Sequence, residues 1–138
     1  MLASVFFSAD MGAQTTTAEF VGLAAITGSS FYGAGAGFLW RGDSRVSIEG
    51  RVALGDKENE TGGRGELVLG YHLGPRDRDR LGSFVGGGLA VMSTGSVTEE
   101  YLLVVVGLEQ SSRTGVGWFA ETGVAGGLRF AAGYRVRF

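Results

Sequence analysis

The chain contains a single histidine, His72, and that residue raises the first question about chemistry. It lies in the segment GYHLGP, where no serine stands beside it. A histidine acts as a general base when a nucleophile and an orienting carboxylate lie within hydrogen-bonding reach. Alternation along the chain also turns His72 toward the polar face of its predicted strand. We therefore expect it to make hydrogen bonds or to mark an interface, and we expect the protein not to be an enzyme.

Other reactive groups and ligand sites are lacking at the level of sequence. There is no cysteine, which excludes disulfides and thiolate metal sites. The Gly-x-Gly pairs lie inside predicted strands and not between a strand and a helix, so they are not phosphate-binding loops. A net charge of -2 with dispersed basic residues gives no case for nucleic acid as a partner. We expect no metal and no cofactor.

Charged residues recur at one parity of the predicted strands, so they share one face of the sheet. Buried charges destabilise a fold unless they are paired. The spacing predicts three pairings: Glu121 with Arg129, Arg51 with Glu66, and Glu19 with Arg135 and Arg137. The complete predicted network contains Glu19, Glu49, Arg51, Arg64, Glu66, Glu109, Glu121, Arg129, Arg135 and Arg137.

The last eleven residues, LRFAAGYRVRF, show which face these charges occupy. Apolar side chains alternate strictly with Arg129, Arg135 and Arg137, which is the period of a β-strand. Three arginines on one face and aromatic residues at both ends of the other fit an apolar face toward lipid and a polar face toward a lumen. A strand of about 9 to 11 residues also crosses a tilted bilayer span. The pattern predicts a transmembrane strand.

Turn residues divide the rest of the chain into segments of similar length, which predict eight strands, the smallest even number in single-chain bacterial barrels. The predicted strands are Thr15–Thr27, Phe31–Trp40, Val46–Leu54, Arg64–Leu73, Leu81–Met92, Glu100–Glu109, Gly115–Gly123 and Leu128–Phe138. The polar segment Asp56–Gly63 is predicted to be a loop. The predicted lipid-facing residues are Val46, Ile48, Val52, Leu54, Leu102, Val104, Val106, Leu108, Trp118 and Tyr134.

The hairpin turns give a test of these faces, because residues directly opposite each other lie on the same face. Centring each turn pairs residues of matching character. The predicted opposite pairs are Trp40 with Val46, Leu73 with Leu81, Leu108 with Val116, and Glu121 with Arg129.

These observations predict one all-β domain, an eight-stranded antiparallel up-and-down transmembrane β-barrel over residues 15–138. Residues 1–14 have a short apolar core but no basic start, and they are interpreted as a leader remnant or an N-terminal extension. No apolar run approaches the ~18 residues of a membrane-spanning helix.

The C-terminal AGYRVRF, the segment SFYGAGAGFLW, the following VSIEGRVALG and the strand count resemble the small eight-stranded outer-membrane proteins of the opacity, outer membrane protein X and attachment-invasion type. The resemblance implies the outer membrane of a Gram-negative bacterium and a monomer in contact with membrane lipids and lipopolysaccharide. It also implies that the barrel assembly machinery reads Tyr134, Val136 and Phe138. Barrels of this size that remove acyl chains from lipid A place His and Ser side by side, which this sequence does not. Members that act as adhesins carry long outer loops, whereas several connections here are only a few residues.

The sequence therefore favours a structural or surface-interaction role, with a lumen filled by Glu/Arg pairs, and leaves two alternatives. In a soluble ligand-binding barrel the faces would be reversed, so that the apolar residues would form the core. In a small-diameter pore, inward-facing glycines would leave a gap. Those glycines are Gly33, Gly35, Gly37, Gly86, Gly88 and Gly117.

Overall fold

The computed structural model describes residues 15–26, 30–42, 45–74, 80–95, 97–111 and 115–137. The predictions for residues 1–14 and for Phe138 lie outside these residues. The strands are β1 (Thr15–Ile26), β2 (Ser30–Arg41), β3 (Val46–Lys57), β4 (Glu60–His72), β5 (Leu81–Thr94), β6 (Val97–Ser111), β7 (Val116–Val124) and β8 (Leu128–Arg137). Within the described ranges, no helix is long and apolar enough to cross a membrane.

Each strand pairs antiparallel with its neighbour in sequence, and β1 pairs with β8, so the sheet closes into an up-and-down barrel. The predicted eight-stranded antiparallel barrel is thus confirmed. Closure removes the free strand edges that an open sheet would expose. We call the end where β1 begins and β8 ends the terminal rim, and the opposite end the hairpin rim.

Alternation along each strand separates two environments. In β6, Val104 is 61% exposed on the outer surface, whereas Val105 is 1% exposed in the lumen. In β3, Ser47, Glu49 and Arg51 are buried and the residues between them are outward. Because successive side chains of a strand point to opposite faces, the sequence pattern fixes which residues enter the lumen.

The prediction of a loop at Asp56–Gly63 is wrong. The two strands continue through this segment, with Asp56 opposite Thr61 and Lys57 opposite Glu60. Only Glu58 and Asn59 form the turn, with φ of 52° and 67°. Two residues of positive φ make the hairpin turn whose twist matches that of the flanking strands. The charged composition of DKENETGG is also typical of a loop, so it gave no sign that β3 and β4 extend through this segment. The extension places Lys57 inside the barrel.

The four predicted opposite pairs are also wrong in register, but every error is an even number of residues. Trp40 lies opposite Ile48, and Leu108 lies opposite Ala120. Glu121 lies opposite Ala131, and Arg129 opposite Gly123. An odd error would turn each side chain to the other face. An even error leaves each side chain on the same face, so these register errors do not change which residues are predicted to face the lumen or the outside.

Neighbouring side chains occupy the space beside several of the inward glycines. A Cβ atom at Gly33 would come within 2.8 Å of the Phe31 ring, and one at Gly37 within 2.9 Å of the Arg51 side chain. A Cβ at Gly86 would meet Val68 at 2.8 Å. These glycines accommodate large residues from adjacent positions, so at these points they do not leave the open gap that a pore would need.

Candidate functional site

The barrel lumen is the candidate functional site, because it gathers charged residues that are far apart in the sequence. Eight residues of the predicted network are buried there: Glu19, Glu49, Arg51, Arg64, Glu66, Glu121, Arg129 and Arg135. Glu109 and Arg137 are half-buried near the terminal rim. We find no ion pair between the Arg137 side chain and the part of the chain that the structure describes.

Arg51 on β3 lies at the centre of this network. Its Nε donates a hydrogen bond to Glu19 Oε1 at 2.8 Å, and its Nη2 donates to Glu121 Oε2 at 3.0 Å. Glu49 and Glu66 lie beside the same guanidinium, the latter at 3.8 Å. A planar group with five donors suits such a site because it binds several carboxylates at once. Arg51 therefore joins side chains from β1, β3, β4 and β7.

Glu66 on β4 connects two further arginines. Its Oε1 accepts hydrogen bonds of 2.8 Å from Arg129 Nε and from Arg64 Nε. Arg129 also forms an ion pair of 2.7 Å with Glu121. The two terminal nitrogens of Arg64 have no hydrogen-bond partner among the described residues. Four buried glutamates thus face four buried arginines, which balances the charge of the middle of the lumen.

Arg135 on β8 extends the network toward the terminal rim. Its Nε donates to Glu19 Oε2 at 2.7 Å, and its Nη1 donates to Glu109 Oε2 at 2.5 Å. The guanidinium also lies 4.2 Å from the centre of the Phe119 ring and 5.4 Å from that of Phe84. Stacking on aromatic faces stabilises a cation that has lost its water. Arg135 is therefore held by two carboxylates and by contacts with two aromatic rings.

Each of the three predicted pairings brings its two sides together, but not always by the expected route. Glu19 lies directly opposite Arg135, and Arg51 directly opposite Glu66. Glu121 and Arg129 are not opposite each other, yet their long side chains meet diagonally. Arg137 lies opposite Thr17, so of the two predicted contacts of Glu19 only the one with Arg135 is found among the described residues.

A second ionic group, which the sequence analysis missed, lies near the hairpin rim. Lys57 Nζ donates to Glu99 Oε2 at 2.8 Å, and the Tyr101 hydroxyl donates to the same oxygen at 2.5 Å. The sequence predicts a loop at Lys57 and a strand that begins after Glu99, so it assigns neither residue to a face. The available signal was Asn59, a residue type that tolerates the positive φ of a two-residue turn.

A third polar group lies at the terminal rim, around the single histidine. His72 Nδ1 lies 2.6 Å from Glu109 Oε1, and His72 Nε2 lies 2.9 Å from Ser47 Oγ. An ionised carboxylate only accepts, so Nδ1 carries the proton and donates a hydrogen bond to Glu109. In the neutral ring Nε2 then accepts from the Ser47 hydroxyl. The serine comes from a neighbouring strand, 25 residues earlier, and for that reason no motif around His72 contains it.

Apolar side chains fill the parts of the lumen between the ionic groups. One cluster contains Phe31, Met92 and Phe119, and another contains Val68, Phe84, Leu103 and Val105. The interior therefore resembles a packed protein core that contains ion pairs, as expected for a barrel of eight strands.

The outer surface has the opposite character. All ten residues predicted to face lipid are exposed: Val46, Ile48, Val52, Leu54, Leu102, Val104, Val106, Leu108, Trp118 and Tyr134. The faces are therefore the reverse of those in a soluble ligand-binding barrel. Val136 is half-buried at the end of β8.

Exposed charges on the described strands and turns lie toward the two rims. Asp56, Glu58, Glu60 and Glu100 are exposed toward the hairpin rim, and Arg45 and Arg80 toward the terminal rim. Between these levels the outward positions of the strands are apolar or small. Four outward aromatic residues lie near the terminal rim, namely Trp40, Tyr71, Trp118 and Tyr134, and Tyr32 and Phe130 lie near the hairpin rim. The surface thus has an apolar band bounded by polar ends.

Comparison with known proteins supports the architecture. The chain is similar to the crystal structure of the N-terminal β-barrel domain of Pseudomonas aeruginosa OprF, with a TM-score of 0.72. The match covers 90% of this chain and 97% of that one, at 18% sequence identity. No protein-family model matches the chain, and no curated protein matches it either. At this level of identity the likeness concerns the fold. Among the described residues, no group of three or more His, Asp or Glu side chains could hold a metal ion.

Proposed function

We propose that this protein is an integral outer-membrane β-barrel of a Gram-negative bacterium, with a structural or surface-interaction role and a lumen filled by ion pairs. The observation that carries the proposal is the reversal of faces in a closed barrel. Leu102 is 78% exposed, while Arg129 is fully buried. Exposing a continuous apolar band to water would be costly, whereas in a bilayer the same band is solvated by lipid tails.

The position of the aromatic residues supports the same proposal. Trp40, Tyr71, Trp118 and Tyr134 lie outward near the terminal rim, and Trp118 Nε1 donates to Gln110 at 3.2 Å. Trp and Tyr side chains with one apolar and one polar part favour the boundary between lipid tails and headgroups. We propose that this aromatic band marks one membrane interface, with membrane lipids and lipopolysaccharide as partners of the outer surface.

The short hairpin-rim turns bear on the biological role. The β3–β4 turn has two residues, and the segments 27–29, 95–96 and 125–127 connect the other three hairpins. Binding by long variable loops therefore has little support, and we favour a role that uses the barrel itself. A monomer of the small eight-stranded outer-membrane superfamily, inserted by the barrel assembly machinery through its C-terminal residues, fits this description.

Solubility and heat-modifiable migration test the proposal directly. The purified chain should need detergent to stay folded in solution, and the unheated sample should migrate differently from the boiled one on a denaturing gel. A closed barrel that resists detergent unfolding has this behaviour because its backbone hydrogen bonds are all internal. A chain that remains folded, monomeric and soluble without detergent would contradict the membrane proposal.

A further inference from the structure

We propose that Ser47, His72 and Glu109 form a hydrolytic triad at the terminal rim, with Ser47 as a nucleophile toward small esters. The proposal goes beyond the membrane role and does not depend on it. Nucleophile, base and orienting carboxylate are recognised by geometry and not by order in the chain. Here the two distances along the relay are 2.9 Å and 2.6 Å, both within hydrogen-bonding reach.

Several contacts fix the imidazole in this orientation. The backbone N–H of His72 donates to the carbonyl oxygen of Arg45 at 2.8 Å, which holds the end of β4 against the β2–β3 turn. The Phe84 ring packs 5.6 Å from the imidazole, centre to centre. Glu109 is in turn held by Arg135 at 2.5 Å and lies 3.8 Å from Arg41. The base is therefore positioned from β2, β5, β6 and β8.

The surroundings of Ser47 provide room for the hydroxyl and a nearby cation. Its direct cross-strand neighbours are Gly70 on one side and Arg41 on the other. A Cβ atom at Gly70 would lie 2.6 Å from Ser47 Oγ, so the Ser47 hydroxyl occupies the space that a larger residue at position 70 would fill. Arg41 is the cation nearest in register to the nucleophile, where negative charge develops when an ester carbonyl is attacked.

Accessibility limits the class of substrate. Ser47 and His72 are 1% and 2% exposed, whereas the side chains of Arg41 and Glu109 are each 22% exposed. An entering molecule must therefore pass Arg41 and Glu109 at the terminal rim and be small. Short acyl esters fit this requirement, and long acyl chains do not.

The reaction proceeds in two balanced steps. The Ser47 oxygen attacks the ester carbonyl carbon while its proton passes to His72 Nε2; the bond to the leaving alcohol then breaks, and the alcohol departs with that proton. Water next attacks the acyl-Ser47 ester, giving its proton to His72. The acid is released and the Ser47 hydroxyl is restored by that proton. Glu109 stays ionised and stabilises the charged imidazole.

Diisopropyl fluorophosphate, a small reagent that loses fluoride to an activated serine, provides the first test. In the folded full-length chain, peptide mass analysis should find the adduct on Ser47, and Ser47→Ala should abolish it. His72→Gln should slow labelling by about 100-fold, the contribution expected of a general base. Ser93→Ala, an exposed serine on β5, is the matched control and should label normally. No adduct on the folded wild-type Ser47, with a known serine esterase labelled in the same tube, would overturn the triad.

Hydrolysis of p-nitrophenyl acetate provides the second test. It distinguishes a specific role of Arg41 from the effect of any positive charge at the terminal rim. Arg41→Gln should lower the Ser47-dependent rate, whereas Arg80→Gln, at the same rim but exposed, should leave it unchanged. Far-UV circular dichroism and protease resistance report folding for every variant. Labelling that proceeds equally fast in a folded His72→Gln or Glu109→Gln variant would show that Ser47 is not activated by this relay and would overturn the proposal.

Discussion

The inner and outer faces of each strand differ in composition and in side-chain contacts more than one strand differs from another. Val104 and Val105 are identical in chemistry and adjacent in sequence, yet the first belongs to the apolar band and the second packs with Val68, Phe84 and Leu103. Outside, between the charged rims, the side chains are apolar or small and make few specific contacts. Inside, apolar clusters lie between the ionic groups, and each side chain is stabilised by contacts with particular neighbours. The comparison teaches that the outer face is defined by composition, whereas the inner face is defined by contacts.

The largest expected effect is the removal of a buried charge. Glu121→Ala should cost on the order of 3 to 5 kcal/mol of folding free energy, because Arg51 and Arg129 lose a carboxylate and remain buried. Reversible unfolding of the barrel in detergent or lipid measures this cost. A double-mutant cycle with Arg129→Ala should give a clear coupling energy. A coupling near zero would show that the pair contributes nothing beyond its separate side chains.

The next effect tests the outer face. Val104→Arg, at the middle of β6, should cost about 2 to 4 kcal/mol in bilayers, since a cation at the midplane loses its hydration. Thr98→Arg, on the same outward face at the hairpin-rim end of β6, is the control and should cost about 0 to 1 kcal/mol. Refolding into vesicles at several denaturant concentrations gives both values. Equal costs at the two depths would argue against a membrane around this surface.

A smaller effect compares the two valines directly. Val105→Ala should cost about 2 kcal/mol, because it removes two buried carbons and leaves a cavity. Val104→Ala should cost less than about 1 kcal/mol in lipid, since lipid chains fill the space. From polarity alone, arginine at position 105 should be tolerated because the position faces the lumen. Its apolar surroundings now indicate that this substitution would overpack the core. If Val104→Ala cost as much as Val105→Ala, the two faces would not differ in packing as described.

The smallest expected effect is electrical. The lumen contains the charged network and two apolar clusters, so planar-bilayer recordings should show no stable channel of porin size. Small or irregular currents are compatible with this filled interior. Large, steady conductance would require that the side chains around Arg51 move aside, and it would make the pore the better description of function.

Much of the fold followed from the sequence because a strand has a period of two. The alternation in Val46–Leu54 and in the last eleven residues determined the strand faces, and turn residues determined the number of strands. The register errors at Trp40 and Leu108 left the predicted faces unchanged because each was an even number of residues. The error at Asp56–Gly63 arose because a charged strand extension and a polar loop have the same composition.

The sequence by itself determined that charges of both signs share one face and that apolar residues share the other. Only the tertiary structure decided which glutamate contacts which arginine, because closure brings β3 and β7 together across the lumen and long side chains bridge positions that are not in register. The same closure places Lys57 against Glu99. These contacts join strands whose separation in the chain carries no local signal, so their geometry exists only in the closed barrel.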